Sequence, residues 1–163
     1  MDWKTLFLSP EGRMGQRDYW IGMLILFVIW FLSPALHLLA PLTWLLLIYP
    51  GVCVYAKRLH DCGRSGWLIL LPVVVAWAAF LLGLLFGGVG VIGALVTMAT
   101  LGTSPTAWAT LFAGLWVMLA FLSVAALAKL AFLLWVGLSP GDPGENRYGP
   151  PPVSLTTAPP TAA

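Results

Sequence analysis

The sequence predicts an all-α integral membrane protein, a bundle of four transmembrane helices with both ends in the cytoplasm. Hydrophobic residues make up 60% of its 163 residues and charged residues only 9%. An ordinary soluble domain is about 45–50% apolar and about 25% charged. Because so few charges cannot cover a surface that faces water, a surface that faces lipid is the simplest account. The net charge of +2 is too small to suggest a nucleic acid partner.

Two apolar stretches near the start of the chain predict the first two spans, residues 20–38 and residues 40–56. A helix of about 20 apolar residues crosses a hydrocarbon core about 30 Å thick. The link between the two spans must be a tight turn near residues 37–41. The first stretch is longer than the apolar part of a signal peptide, about 7–15 residues, and no small-residue cleavage site follows it. We therefore interpret it as a retained span.

A long region without charge, residues 67–103, contains the third span. As one straight helix it would be far too long for a bilayer, at about 1.5 Å per residue. Four glycines within residues 87–93 suggest a break. We place the third span at residues 67–86 and expect an apolar, glycine-rich connection after it.

The fourth span covers residues 107–127, and its helix is expected to continue past Lys129 to Trp135. Beyond it, residues 139–163 are dominated by proline, glycine and small polar residues, a composition that cannot bury a core. The chain therefore divides into a transmembrane domain, residues 1–138, and a cytoplasmic tail.

Basic residues test this topology, because lysine and arginine are retained on the cytoplasmic side of a membrane. With four spans all eight lie on one side, and the two opposite connections contain none. They are Lys4, Arg13, Arg17, Lys57, Arg58, Arg64, Lys129 and Arg147. Three or five spans would send Arg147 across the membrane. Lys129 is expected to reach the cytoplasmic surface along its flexible stem and to anchor the helix there.

The stretch "KRLHDCGRSGW", residues 57–67, is expected to form a helix end, a turn and a helix start between the second and third spans. Asp61 follows Arg58 by three positions, a spacing that permits an ion pair on one helical face. Gly63 can end the helix in a left-handed conformation. Ser65 can cap the helix that follows.

Three functional hypotheses compete for these charged residues. In the first, a non-enzymatic protein uses a polar cluster to organise the bundle, or to recognise an anionic lipid headgroup or a protein partner. The second is a small transporter or channel subunit, although no acidic residue lies in any predicted span. The third is a membrane enzyme that uses His60 and Asp61 as an acid–base pair. We favour the first, and whether the chain forms a homo-oligomer stays open.

The candidate cluster of the first hypothesis gathers polar residues from three regions at the cytoplasmic face. Its members are Arg13, Arg17, Arg58, His60, Asp61, Arg64, Asn146 and Arg147. Asp61 and Glu145 are the acids expected to pair with these arginines. We predict no catalytic site, cofactor or metal site. Cys53 and Cys62 match no zinc spacing, and His37 is predicted at the opposite face.

Three blocks carry a family resemblance: "GRMGQRDYW" at residues 12–20, "KRLHDCGRSGW" at residues 57–67 and "GDPGENRYGPPP" at residues 141–152. In this order they resemble the DUF805 family of small bacterial inner-membrane proteins. The chain departs from the family pattern at Lys57, where arginine is usual, and at Cys62. The resemblance implies a bacterial inner-membrane location. It implies no activity, because the molecular function of the family is unassigned.

Overall fold

The computed structural model describes residues 3–152, with side chains for residues 6–35 and 39–152. The predicted all-α class is confirmed, because this part of the chain is helical without strands. Four of its helices are long and apolar enough to cross a membrane. The end of the predicted tail, residues 153–163, and the side chains of Lys4 and His37 lie outside the described residues.

Helices of three kinds follow one another along the described chain. The α-helices are α1 (Trp3–Leu8), α2 (Gln16–Leu32), α3 (Ala40–Asp61), α4 (Leu70–Gly83), α5 (Val89–Leu101) and α6 (Pro105–Leu138). Tighter 3-10 helix covers Ser33–Leu39 and Gly66–Ile69, and wider π-helix covers Leu84–Gly88. These elements form two compact units, one of residues 3–69 and 134–152 and the other of Leu70–Leu133.

The turn predicted near residues 37–41 is the 3-10 helix Ser33–Leu39, which leads directly into α3. Ser33 at its start is 1% exposed. The Ser33 hydroxyl donates to Trp30 O at 2.7 Å and accepts from Trp44 Nε1 at 2.6 Å. A buried hydroxyl that both donates and accepts carries little desolvation cost, so this serine joins α2 to α3 inside an apolar environment.

The short helix α1 is held against α3 by two side chains. Lys57 Nζ donates to Leu6 O at 3.3 Å, and the Tyr49 hydroxyl donates to Leu8 O at 2.9 Å. The last carbonyl groups of a helix have no partner within that helix. Two polar side chains of α3 therefore satisfy the carboxyl end of α1.

In the second unit the predicted break after residue 86 is wrong. The helix continues through the π-helical turn Leu84–Gly88 into α5, and only residues 102–104 separate α5 from α6. Gly87 serves packing instead, because a Cβ on it would lie only 2.6 Å from Gly114 O. Small residues let membrane helices approach closely. An unbroken helix also pairs its backbone groups where no water is available.

The helix of the predicted fourth span does continue past Lys129, since α6 ends at Leu138. The last two apolar helical segments, Gly66–Leu101 and Pro105–Leu138, contain 36 and 34 residues. Both exceed the roughly 20 residues that a bilayer requires. Helix length alone therefore does not define where the hydrocarbon begins, and the membrane limits of the four spans stay predictions.

Candidate functional site

Arg58 lies in the last turn of α3, and it is 1% exposed. Its Nη1 donates to Asp61 Oδ2 at 2.5 Å and to Met14 O at 3.4 Å. Its Nε donates to Val136 O at 3.2 Å, and its Nη2 donates to Ser139 O. The predicted ion pair between Arg58 and Asp61 is therefore present, and the same guanidinium also reaches carbonyls at the end of α6.

Arg13 approaches the same carboxylate from the segment before α2, and its side chain is also 1% exposed. Arg13 Nε donates to Asp61 Oδ1 at 3.1 Å. Its Nη1 donates to Gly144 O at 2.6 Å and to Gly149 O at 3.2 Å, and its Nη2 donates to Asp142 O at 2.5 Å. All three nitrogen atoms of this guanidinium therefore bind oxygen atoms of the protein.

Asp61 lies between the two arginines, and we call Arg13, Arg58 and Asp61 the clamp. Each carboxylate oxygen of Asp61 accepts from one arginine, and its side chain is 4% exposed. Charged groups are buried in proteins when they are paired and hydrogen-bonded, and the clamp meets both conditions. Arg13 belongs to the first sequence block, and Arg58 and Asp61 belong to the second. Because Arg13 also binds backbone carbonyls of the third block, the clamp holds the three blocks together.

The backbone of the third block lies directly on Asp61. Asp142 N donates to Asp61 O at 2.7 Å. A Cβ added to Gly141 would collide with the Asp61 carboxylate. Glycine at this position therefore permits the close approach of backbone and carboxylate on which the clamp depends.

A tight turn, residues 146–149, completes the third block. Asn146 and Gly149 exchange two backbone hydrogen bonds of 3.2 and 2.9 Å, and Gly149 has a φ of 117°. Asn146 Nδ2 donates to His60 O at 3.0 Å and to Asp142 Oδ2 at 2.9 Å. One asparagine side chain therefore ties the turn to the end of α3.

His60 packs on this turn and does not contact the carboxylate of its neighbour. Its ring stacks on Tyr148 with centroids 3.8 Å apart and planes 9° from parallel. Its Nδ1 lies 3.3 Å from Gly12 O, and the carboxylate of Asp61 is engaged by two arginines. The acid–base pair of the enzyme hypothesis is therefore not formed in this structure.

Arg64 and Arg147 lie outside the clamp and are exposed. The Arg64 guanidinium carbon lies 4.5 Å from the centroid of the Trp135 ring, and that of Arg147 lies 4.8 Å from the centroid of the Tyr148 ring. An arginine over an aromatic face is held in place while its N–H edges still point outwards. We call these two residues the exposed pair.

The structure does not bring every predicted cluster member into contact. Arg17 and Glu145 are exposed, and neither forms an ion pair with a described residue. Asp142, which sequence reasoning missed, joins the cluster in another way: its carbonyl accepts from Arg13 Nη2 and its carboxylate accepts from Asn146 Nδ2, without an ion pair to a described arginine. The signal was its position directly after Gly141 in the third block.

The predicted helix end and turn between α3 and α4 are also present. Gly63 has a φ of 68°, which is the left-handed conformation expected of it. Trp67 N donates to Ser65 Oγ at 3.4 Å.

Burial raises the pKa of the Cys62 thiol above its usual range, and nearby Arg58 partly opposes this increase. Among the residues whose side chains are described, no group of three or more histidine, cysteine or acidic side chains converges as metal ligands would.

Four helical segments long and apolar enough to cross a membrane define the class of this chain as a multi-pass membrane protein, with a charged cluster that joins its three sequence blocks. The family model for "Protein of unknown function (DUF805)" matches residues 7–150. The chain therefore belongs to the DUF805 family.

Two similar proteins come from Escherichia coli strains K12 and O157:H7, and both are called "Uncharacterized protein YiiR". Each is 33% identical to this chain over 149 residues, which cover 86% of this chain and 84% of the relative. No solved structure matches the chain.

Proposed function

We propose that this chain is a non-enzymatic, multi-pass protein of the bacterial inner membrane that binds anionic lipid headgroups at its cytoplasmic face. The single observation that carries the proposal is the division of the arginines into two groups. Arg13 and Arg58 are buried and bound to protein oxygens, whereas Arg64 and Arg147 are exposed. In this proposal the clamp builds the surface, and the exposed pair contacts the ligand.

The geometry of the clamp supports a structural role for its two arginines. A guanidinium has five N–H donors, and each nitrogen of the Arg13 and Arg58 guanidinium groups already donates to a carbonyl or carboxylate oxygen in the first unit. An external phosphate would have to break these bonds inside a buried site. Desolvated charges of this kind are costly to leave unpaired, so headgroup binding by the clamp itself is disfavoured.

The exposed pair has the opposite character. No hydrogen bond between described residues uses the side-chain N–H groups of Arg64 or Arg147, and each ring contact orients the guanidinium. Arginine binds phosphate through two parallel N–H···O bonds. The cytoplasmic leaflet attracts basic residues by about 1 kcal/mol for each lysine or arginine near its surface. Arg17, exposed at the start of α2, adds a further cation to this surface.

Sidedness supports the inner-face location. All eight basic residues fall on one side of a four-span topology, and basic residues are retained in the cytoplasm. The two relatives come from Escherichia coli, which supports a bacterial protein. Both chain ends are therefore cytoplasmic in this proposal.

The experiment is lipid binding by the full chain, measured by native mass spectrometry after delipidation and back-titration. Phosphatidylglycerol is compared with phosphatidylcholine of the same acyl chains. The double variant Arg64→Gln/Arg147→Gln should lose at least about fivefold of the preference for phosphatidylglycerol. The double variant Arg64→Lys/Arg147→Lys keeps the charges and should keep most of that preference. An unchanged preference in the glutamine variant would contradict the proposal.

A further inference from the structure

The second unit contains an apolar groove on α4 and α6. Its cavity has a volume of about 380 Å³, and its walls include Ala79, Gly83, Leu119 and Leu122. Small residues on α4 leave space opposite leucines on α6, and all of these side chains are apolar. A groove of this composition suits an alkyl chain and offers few polar groups to any other ligand.

A second cavity of about 350 Å³ continues the groove towards a positive charge. It shares Ala76 and Phe80 with the first cavity, and its remaining lining residues are Trp77 and Lys129. Lys129 lies one helical turn beyond Ala125, which lines the first cavity. The groove is therefore apolar along its length and cationic at one end.

Lys129 has no charge partner within its own unit. Residues 70–133 contain no aspartate, no glutamate and no other basic residue. The Lys129 side chain is exposed, beside two aromatic residues in the groove. A negative group from outside the unit would complement it, and such a group would have to enter next to the apolar walls.

The predicted end of the fourth span next to Lys129 favours a lipid phosphate as the negative group. Lys129 follows Thr110 by nineteen positions on α6, which corresponds to about 28 Å of helix. Thr110 and Thr106 belong to a hydroxyl-rich end of the unit that also contains Trp108, a residue type that favours the membrane interface. A hydrocarbon core of about 30 Å that begins near Thr110 ends near Lys129, at the level of lipid phosphates.

We propose that this groove binds one anionic glycerophospholipid, with an acyl chain against the apolar walls and the lipid phosphate against Lys129. Charge complementarity and the continuous groove carry the inference, and the predicted fourth span, residues 107–127, ends two residues before Lys129. The site goes beyond the headgroup surface proposed for the exposed pair, because it uses other residues in the other unit. Either site can fail without the other.

The test is photolabelling of the full chain with phospholipids that carry a diazirine in the acyl chain. Phosphatidylglycerol should label the peptide of α6 that contains residues 115–125 about fivefold more than phosphatidylcholine does at equal concentration. Lys129→Gln should remove this preference, and Lys129→Arg should retain it. The double variant Arg64→Gln/Arg147→Gln should leave it unchanged, which separates this site from the exposed pair.

Groove filling gives a second readout with a matched control. Ala76→Phe should reduce labelling by both lipids, whereas Ala78→Phe, on an exposed part of α4 that does not line the groove, should not. Equal labelling by the two lipids, or a preference that survives Lys129→Gln, would overturn the proposal. Displacement of the lipid by inorganic phosphate alone would also overturn it, because a bound acyl chain should resist that competitor.

Discussion

Arg13 and Asp61 lie 48 positions apart in the sequence, yet Arg13 Nε donates to Asp61 Oδ1 at 3.1 Å. This contact joins the segment before α2 to the end of α3, and Arg58 binds the other oxygen of the same carboxylate, Oδ2. Because both arginines share this one buried carboxylate, the loss of Asp61 leaves two buried cations without their anion. The first unit should therefore be sensitive to substitution of Asp61.

Asp61→Asn should destabilise the protein by about 3–5 kcal/mol, because it leaves two buried arginines without their shared anion. The measurement is the free energy of unfolding of the purified protein in mild detergent. Glu145→Gln is the matched control, since Glu145 is exposed and forms no ion pair with a described residue, and it should change stability by less than about 0.5 kcal/mol. Equal stability of the two variants would show that the clamp is dispensable.

Gly141→Ala should loosen the third block, because the added Cβ collides with the Asp61 carboxylate. We expect faster limited proteolysis within residues 140–150 and a lower unfolding temperature. Gly144→Ala is the control in the same block, since a Cβ there meets nothing within 4 Å. If both variants resist protease as the wild type does, the block is not held by its contact with Asp61.

Gly87→Ala should destabilise the second unit by about 1–3 kcal/mol, the usual cost of overpacking. Its Cβ would lie 2.6 Å from Gly114 O and 2.9 Å from Met118 N, and neither backbone atom can move away alone. Gly93→Ala, where a Cβ meets nothing within 4 Å, should be neutral or slightly stabilising. Unfolding in mixed micelles with increasing dodecyl sulfate compares the two, and a neutral Gly87→Ala would rule out tight packing there.

Cys62 should react slowly with alkylating reagents near neutral pH, because burial raises the pKa of its thiol and only the thiolate attacks. In a Cys53→Ser variant, the labelling rate of Cys62 should keep rising above pH 9. Unfolding removes the burial and should lower the pKa, so labelling at pH 8 should accelerate. A rate that levels off below pH 8.5 in the folded protein would contradict this environment.

Both ends of the chain should lie in the cytoplasm, because four spans are even in number and the basic residues gather on one side. A fluorescent reporter at the carboxyl end should be active, and a periplasmic phosphatase reporter there should be inactive. A reporter inserted after Gly63, between α3 and α4, should give the same pattern. Opposite results at these two positions would require an odd number of crossings between them.

The sequence predicted much of the fold because solvent sets strong limits on composition. Lipid-facing helices must be long and apolar, and their charges must stay outside, so the fold class and the four long apolar helices can be recognised without coordinates. The error at residues 87–93 has a physical reason. Glycine weakens helices in water, whereas in this chain Gly87 allows close contact with Gly114 on α6.

Local spacing also predicted the ion pair of Arg58 with Asp61 and the left-handed Gly63, because both depend on residues within one or two helical turns. The charged residues alone could not show that Arg13 shares Asp61 while Arg17 stays exposed. They also did not show that Asp142, and not Glu145, joins the cluster. These distinctions depend on which groups meet after distant segments fold together.

The amino-acid sequence by itself determined an all-α chain with four long apolar helices that could cross a membrane, because the cost of placing charge in hydrocarbon acts on each residue separately. Only the tertiary structure decided which arginines are buried and which remain exposed. That division arises from carbonyl groups of the third block and of α6, which carry no side-chain signature and become partners only when the backbone brings them together.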